Sequence, residues 1–262
     1  MKINRQNFKI NNQYSICLDE YFDLASLQNI FPDIVKGLIK SKQYFEPIEI
    51  GNQRAIFDKE HIEPKLYIKD VFSKTDEYTA LVSAGFTERQ IYEYTLLRFP
   101  VKTLGTKLLL RTYPDYSNSF GAKHIERLNR DQPAYDNFPK LREWISNCTA
   151  FKSIGRILFF VNDLGSYTPT HCDYANLTSL KDQFIWINLY QKKKFFVLDE
   201  NWNKQYIKGE INIFDNATWH GSEPASSSCF TIRIDGLFSD TFLSKTGLDK
   251  HYADAKTAQE NN

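Results

Sequence analysis

The side chains of this protein best suited to chemistry are His171, Asp173, His220 and Arg233; His220 follows Asp173 by 47 residues and Arg233 follows His220 by 13. In His171-Cys172-Asp173 the histidine and the carboxylate are two apart. On an extended strand they point to the same face, so both can reach one metal ion, and a later histidine can close a facial set of three ligands. Such a set leaves coordination positions open, and open positions on a redox-active ferrous ion are what oxygen activation requires. An arginine shortly after the distal histidine could hold the carboxylate of a co-substrate through a bidentate, charge-assisted pair. Each residue alone has a plainer reading: His171 ends a surface strand, Asp173 caps a turn, and His220 is a satisfied core histidine beside Trp219. The ordered set of four is what points to a metal centre.

Strands must position these residues, and the pattern supplies them. Gly155 to Asn162 is an apolar, strand-like run that ends in the turn residues Asp163, Gly165, Ser166 and Pro169. Gln183 to Tyr190 and Lys194 to Asp199 are rich in β-branched and aromatic residues. Gly209 to Asp215 reads as a short strand leading into the turn that carries His220. Cys229 to Asp235 alternates, with Thr231, Arg233 and Asp235 on one face. Five or more short strands, with the His-x-Asp early and the second histidine near the end, predict a double-sheet jelly roll of the cupin kind.

On those residues, the segment from about Gly155 to Phe238 resembles the core of an iron(II)- and 2-oxoglutarate-dependent oxygenase. The resemblance implies iron ligation by His171, Asp173 and His220, binding of the distal carboxylate of 2-oxoglutarate by Arg233, and O2 as oxidant. Nucleic-acid repair dealkylases of that superfamily carry a second arginine six residues after the first, which this chain lacks. Jumonji-type members anchor the co-substrate with a lysine on a middle strand, which makes Lys194 the alternative anchor. Trp186, Asn188 and Tyr190 alternate along one strand and are pocket candidates if their face is the interior. Asp235 stands two after Arg233, where many relatives have a small residue or Ser, and an anion there needs a partner of its own. Halogenating relatives replace the metal-binding carboxylate with a small residue, so Asp173 implies hydroxylation. The expected substrate is a free amino acid or another small polar metabolite, with a protein side chain as the alternative. A cupin using the same triad without 2-oxoglutarate is the reading from another class.

The expected fold is mainly β with helical additions: a single domain over 1–262, with a mostly helical region at 1–104, the jelly-roll core at 105–240 and an extension at 241–262. Apolar residues recur at helical spacing from Tyr21 to Ser41, with Pro32 kinking or dividing the helix. Further helices are expected near 71–84, 87–98 and 138–147, packed on one outer face of the jelly roll. A polar, aromatic segment from Tyr113 through His124, Arg127 and Arg130 to Tyr135 could form a lid. A net charge of +1 gives no basic footprint for nucleic acid. No run approaches the ~20 apolar residues of a membrane span, and no signal peptide is read at the start, so the cytoplasm is the expected location. Four cysteines without zinc-type spacing read as reduced, mostly buried thiols, and Lys192 to Lys194 as a solvated hairpin turn.

Overall fold

Alternating β-branched and aromatic residues after residue 150 form long strands, and the shorter amphipathic segments before it form helices. The computed structural model describes residues 9–47, 76–87, 105–112, 130–162, 167–168, 170–171, 183–190, 193–201, 203–216 and 218–252. Asp173, the helix expected at 87–98 beyond Thr87, and the segment 113–129 with His124 and Arg127 lie outside them. In chain order the elements are β1 (Ser15–Cys17), α1 (Leu24–Asn29), α2 (Phe31–Lys40), β2 (Glu46–Pro47), α3 (Asp76–Ser83), β3 (Thr106–Thr112), β4 (Arg130–Asp131), α4 (Pro139–Ser146), β5 (Phe151–Asn162), β6 (Phe184–Tyr190), β7 (Phe195–Leu198), β8 (Lys204–Tyr206), β9 (Ile211–Phe214), β10 (His220–Ser222), β11 (Cys229–Phe238) and α5 (Asp240–Thr246).

The larger sheet has the order β1-β9-β6-β11-β5-β3-β2, with β4 on β3, and the smaller has the order β10-β7-β8. His171 extends the smaller sheet by an antiparallel bridge to His220. From β5 onward the chain therefore alternates between sheets: β5 large, His171 small, β6 large, β7 and β8 small, β9 large, β10 small, β11 large. That winding, with every pairing antiparallel, is a double-stranded β-helix, the jelly roll. The region before residue 105 also contributes edge strands, β1 and β2, which no sequence pattern marked.

Strand alternation divides the large sheet into two faces. Ile157, Phe159, Ile185, Ile187, Ile211, Ile213, Ile232 and Ile234 pack with Leu27, Ile34, Leu38, Phe138, Leu141 and Ile145 from the helical layer. Full burial of each such side chain stabilises by roughly 1.5–3 kcal/mol. The opposite face looks into the barrel, where Phe184, Trp186 and Phe214 meet Phe195 and Val197 of the smaller sheet. The helices thus cover one outer face, and the interior belongs to the site.

Pro32 divides the first helical segment: α1 ends at Asn29, and Pro32 lies in the first turn of α2, where a missing N–H costs nothing. Asp23 caps α1 by accepting from the Ser26 amide at 2.9 Å. Gly37 lets α2 close on Phe138, because a Cβ there would lie 2.5 Å from the phenyl ring. The helix expected at 138–147 appears as α4 (Pro139–Ser146). Tyr252 is buried against Phe238, with ring centroids 5.9 Å apart. Among the described residues, no helix is long and apolar enough to cross a membrane. Cys17, Cys148 and Cys229 are free, but Cys17 is exposed, against the expectation of mostly buried thiols.

Candidate metal and anion site

His171 and His220 face each other across the smaller sheet. Each backbone N–H donates to the other residue's carbonyl oxygen at 2.8 Å, so the two positions are locked side by side. Their ring centroids lie 4.4 Å apart with planes at 55°. Two imidazoles meeting one ion at the usual nitrogen–metal distance and about a right angle would have centroids on the order of 4.5 Å apart. The His220 Nδ1 lies 2.7 Å from the Thr218 carbonyl oxygen. A carbonyl only accepts, so Nδ1 carries the proton and Nε2 presents its lone pair, which is how a ligating histidine is oriented. Phe195 and Phe214 flank the His220 ring at 5.7 and 5.2 Å and exclude water from that side. Among the described residues, no third His, Cys, Asp or Glu completes the pair. Asp173, two residues beyond His171, is the expected third ligand and lies outside them.

Arg233 projects from β11 into the interior, as expected, and is not alone there. Its Nε donates to Asp235 Oδ1 at 2.7 Å, and its guanidinium stacks over the Phe184 ring at 4.1 Å. Asp235 Oδ2 accepts from Arg156 Nε at 2.5 Å. The register of β11 on β5 shifts between Ile234, opposite Ile157, and Gly236, opposite Ile154. Gly155 and Arg156 together therefore face Asp235, a bulge of the kind that re-aims a side chain beside a site. Burial acts to raise the Asp235 carboxyl, but the Arg156 and Arg233 charges outweigh it and hold the group below its usual value. The anion at 235 thus has the partners it needs, one guanidinium on each carboxylate oxygen.

Lys194 does not fit the role considered for it. Phe195 and Val197 of β7 point into the barrel, so by alternation the inward lysine is Lys193, while Lys194 is exposed. The expected solvated turn at 192–194 is corrected for the same reason, since Lys193 is only 6% exposed. Its ammonium nitrogen lies 3.0 Å from Asn162 Oδ1 and 2.7 Å from Thr168 Oγ1. Burial pushes its pKa down to about 7, partly offset by Cys229.

Trp186 and Asn188 lie on the interior face; the backbone of Tyr190 continues β6, and its side chain is outside the described part. Trp186 stacks between Phe160 and Phe195, at 5.3 and 5.1 Å. Among the described residues, Trp186 Nε1, Asn188 Oδ1, Asn212 Oδ1 and Thr231 Oγ1 are buried without a hydrogen-bond partner. They form two cross-strand pairs, Asn188 with Thr231 and Trp186 with Asn212. Unpartnered buried polar atoms are costly in a finished core, and here they line the same interior as Arg233 and Arg156. The Trp186 N–H and the Thr231 hydroxyl are donors suited to an acceptor-rich anion. The residues that the motif search missed are Arg156, visible only as an arginine inside an apolar strand, and Lys193, visible only once the facing of β7 is known.

No protein-family model matches the chain, and no curated protein matches its sequence. Among solved structures, an oxidoreductase of the 2OG-Fe(II) oxygenase family from Burkholderia pseudomallei is 12% identical, covering 58% of this chain and 79% of its own, with a TM-score of 0.35. A prolyl-4-hydroxylase from Pseudomonas putida is 11% identical over 52% of this chain and 72% of its own, with a TM-score of 0.29. An RmlC-like cupin protein from Desulfovibrio desulfuricans is 14% identical over 33% and 73%, with a TM-score of 0.24. The jelly-roll assignment rests on the strand order itself.

Proposed function

We propose that this chain is a non-haem iron(II)- and 2-oxoglutarate-dependent oxygenase that hydroxylates a C–H bond of a free amino acid or another small polar metabolite. The observation that carries the reading is the His171–His220 pair, bridged through the backbone, with the rings 4.4 Å apart and the Nδ1 of His220 engaged by the Thr218 carbonyl oxygen. His171 and His220 would hold the iron with Asp173 as third ligand. Bound iron and 2-oxoglutarate would supply the oxygen-activating chemistry; the chain supplies position, charge and exclusion of water.

For the distal carboxylate of the co-substrate, Lys193 is the anchor we favour. It is a buried lysine with, among the described residues, only neutral acceptors beside it, whereas the guanidinium of Arg233 already has a carboxylate, Asp235. Arg233 is the second candidate, favoured by its buried place on the interior face, over the Phe184 ring. Trp186, Asn188 and Thr231 would line the pocket between. The test is succinate release from 2-oxoglutarate under oxygen with ferrous iron, across a panel of amino acids, small metabolites and peptides. Turnover with an amino acid or metabolite that stops when 2-oxoglutarate is omitted supports the reading. Turnover only with peptides moves the substrate to a protein side chain, and metal-dependent turnover without 2-oxoglutarate makes the chain a cupin of another kind.

A further inference from the structure

We infer that the carboxylate bound at Lys193 enters together with a proton, converting a neutral buried amine into an ammonium as the co-substrate docks. The inference rests on the reading of Lys193 as the anchor. A neutral amine has two N–H donors, and Lys193 has two acceptors, Asn162 Oδ1 at 3.0 Å and Thr168 Oγ1 at 2.7 Å. Both are uncharged. An ammonium has a third N–H and a full charge, and the described residues of the enclosure give it no anion.

The surrounding elements agree. The end of β5 presents Asn162, the segment at 167–168 presents Thr168, and β7 presents the Phe195 ring, whose centroid is 5.9 Å from the lysine nitrogen. The start of β11 presents Cys229, the one titratable group among the described residues that acts on the lysine. Burial raises the Cys229 thiol, so it stays protonated at neutral pH and offers no counter-charge. Glu223, just after β10, is engaged with Lys204 at 3.0 Å and Tyr206 at 2.6 Å. With its pKa pushed down to about 7, Lys193 is largely an amine at pH 8. A carboxylate brought against it in a dry pocket favours the charged form, so the proton comes from solvent and one ammonium–carboxylate pair results.

Binding then depends on pH in a defined direction. Below about pH 6 the lysine is already charged and affinity is flat. Above pH 7 each further unit weakens binding up to tenfold, for a loss of roughly a hundredfold between pH 6 and pH 9. The experiment is titration calorimetry of 2-oxoglutarate into the Mn(II)-loaded, oxygen-free protein, at pH 8 and pH 6, in phosphate and in Tris. Because the two buffers differ in ionisation enthalpy, the heats at pH 8 should differ by nearly one proton taken up per ligand. At pH 6 the difference should fall close to zero. Lys193→Arg, which carries its charge permanently, should bind without proton uptake at either pH. Binding at pH 8 with identical heats in both buffers overturns the inference and leaves the oxygenase reading standing. Unchanged uptake in Lys193→Arg overturns it too, by assigning the proton elsewhere. No 2-oxoglutarate binding by the unmodified protein overturns both.

Discussion

Asp235→Asn is the substitution whose cost the structure specifies best. The carboxylate lies 2.5 Å from Arg156 Nε and 2.7 Å from Arg233 Nε, and all three side chains are at most 10% exposed. At an effective dielectric constant of about 20, each contact carries roughly 6 kcal/mol of Coulomb attraction, much of it offset by the desolvation of three charges. Asparagine keeps the shape, removes the charge and leaves two like guanidiniums buried together, so the expected loss is about 3–5 kcal/mol. With a urea slope of about 2–3 kcal/mol/M, the unfolding midpoint at pH 7 should fall by roughly 1–2 M. Arg156→Met should cost less, because it leaves Arg233 and Asp235 as a one-to-one pair. The folded-state pKa of Asp235 is depressed, so its contribution is complete above the ordinary value of 3.8 and is lost as pH falls below it. The gap between the parent and Asp235→Asn should therefore be constant from pH 8 to about 5 and shrink in stronger acid. A loss under about 1 kcal/mol, or an Arg156→Met variant less stable than Asp235→Asn, would refute the charge reasoning.

Other outcomes follow from the same geometry. His171→Ala and His220→Ala should abolish binding of Mn(II) or Fe(II) in calorimetry while leaving the far-UV circular dichroism unchanged, since the barrel is held by its own cores. Lys193→Met should stabilise the metal-free protein at pH 7, where displacing a lysine from 10.5 to about 7 costs on the order of 5 kcal/mol. The parent should gain stability as pH rises from 7 to 10 and the variant should not; parallel curves by urea denaturation would contradict the assignment. Lys194→Ala should leave 2-oxoglutarate affinity unchanged, whereas Lys193→Met should weaken it by ~2–5 kcal/mol. A substrate turned over under labelled O2 should gain one labelled oxygen by mass spectrometry; a chlorinated product would remove Asp173 from the metal.

The path from β5 to β11 was legible because period-two alternation and turn residues are local signals, and Thr231, Arg233 and Asp235 share a face for that reason alone. Charge partnership across strands was not legible. Arg156 meets Asp235 only through a bulge whose register depends on β5 and β11 lying side by side, 79 residues apart in the chain. Which lysine of the run is buried was not legible, because three consecutive lysines carry no period, and only the inward facing of Phe195 and Val197 places Lys193 inside and Lys194 outside. β1, β2 and β8, two or three residues each, are too short for any pattern and owe their extended form to the neighbours they pair with. The closeness of His171 and His220 was implied by their chemistry, but the backbone bridge that brings them together is a tertiary fact.

That bridge has a consequence for how occupancy could be followed over time. Among the described residues it is a single bridge of two reciprocal hydrogen bonds, with the Ser222 amide donating to the Thr168 carbonyl oxygen at 2.9 Å beside it. Such a contact opens by local fluctuation at little cost. An ion ligated by both rings would tie the two strands together through their side chains, and the amides beneath them could then exchange with deuterium only after the ion had left. The His171 and His220 amides would thus act as a clock for metal departure, read by exchange mass spectrometry on the intact protein without any substrate.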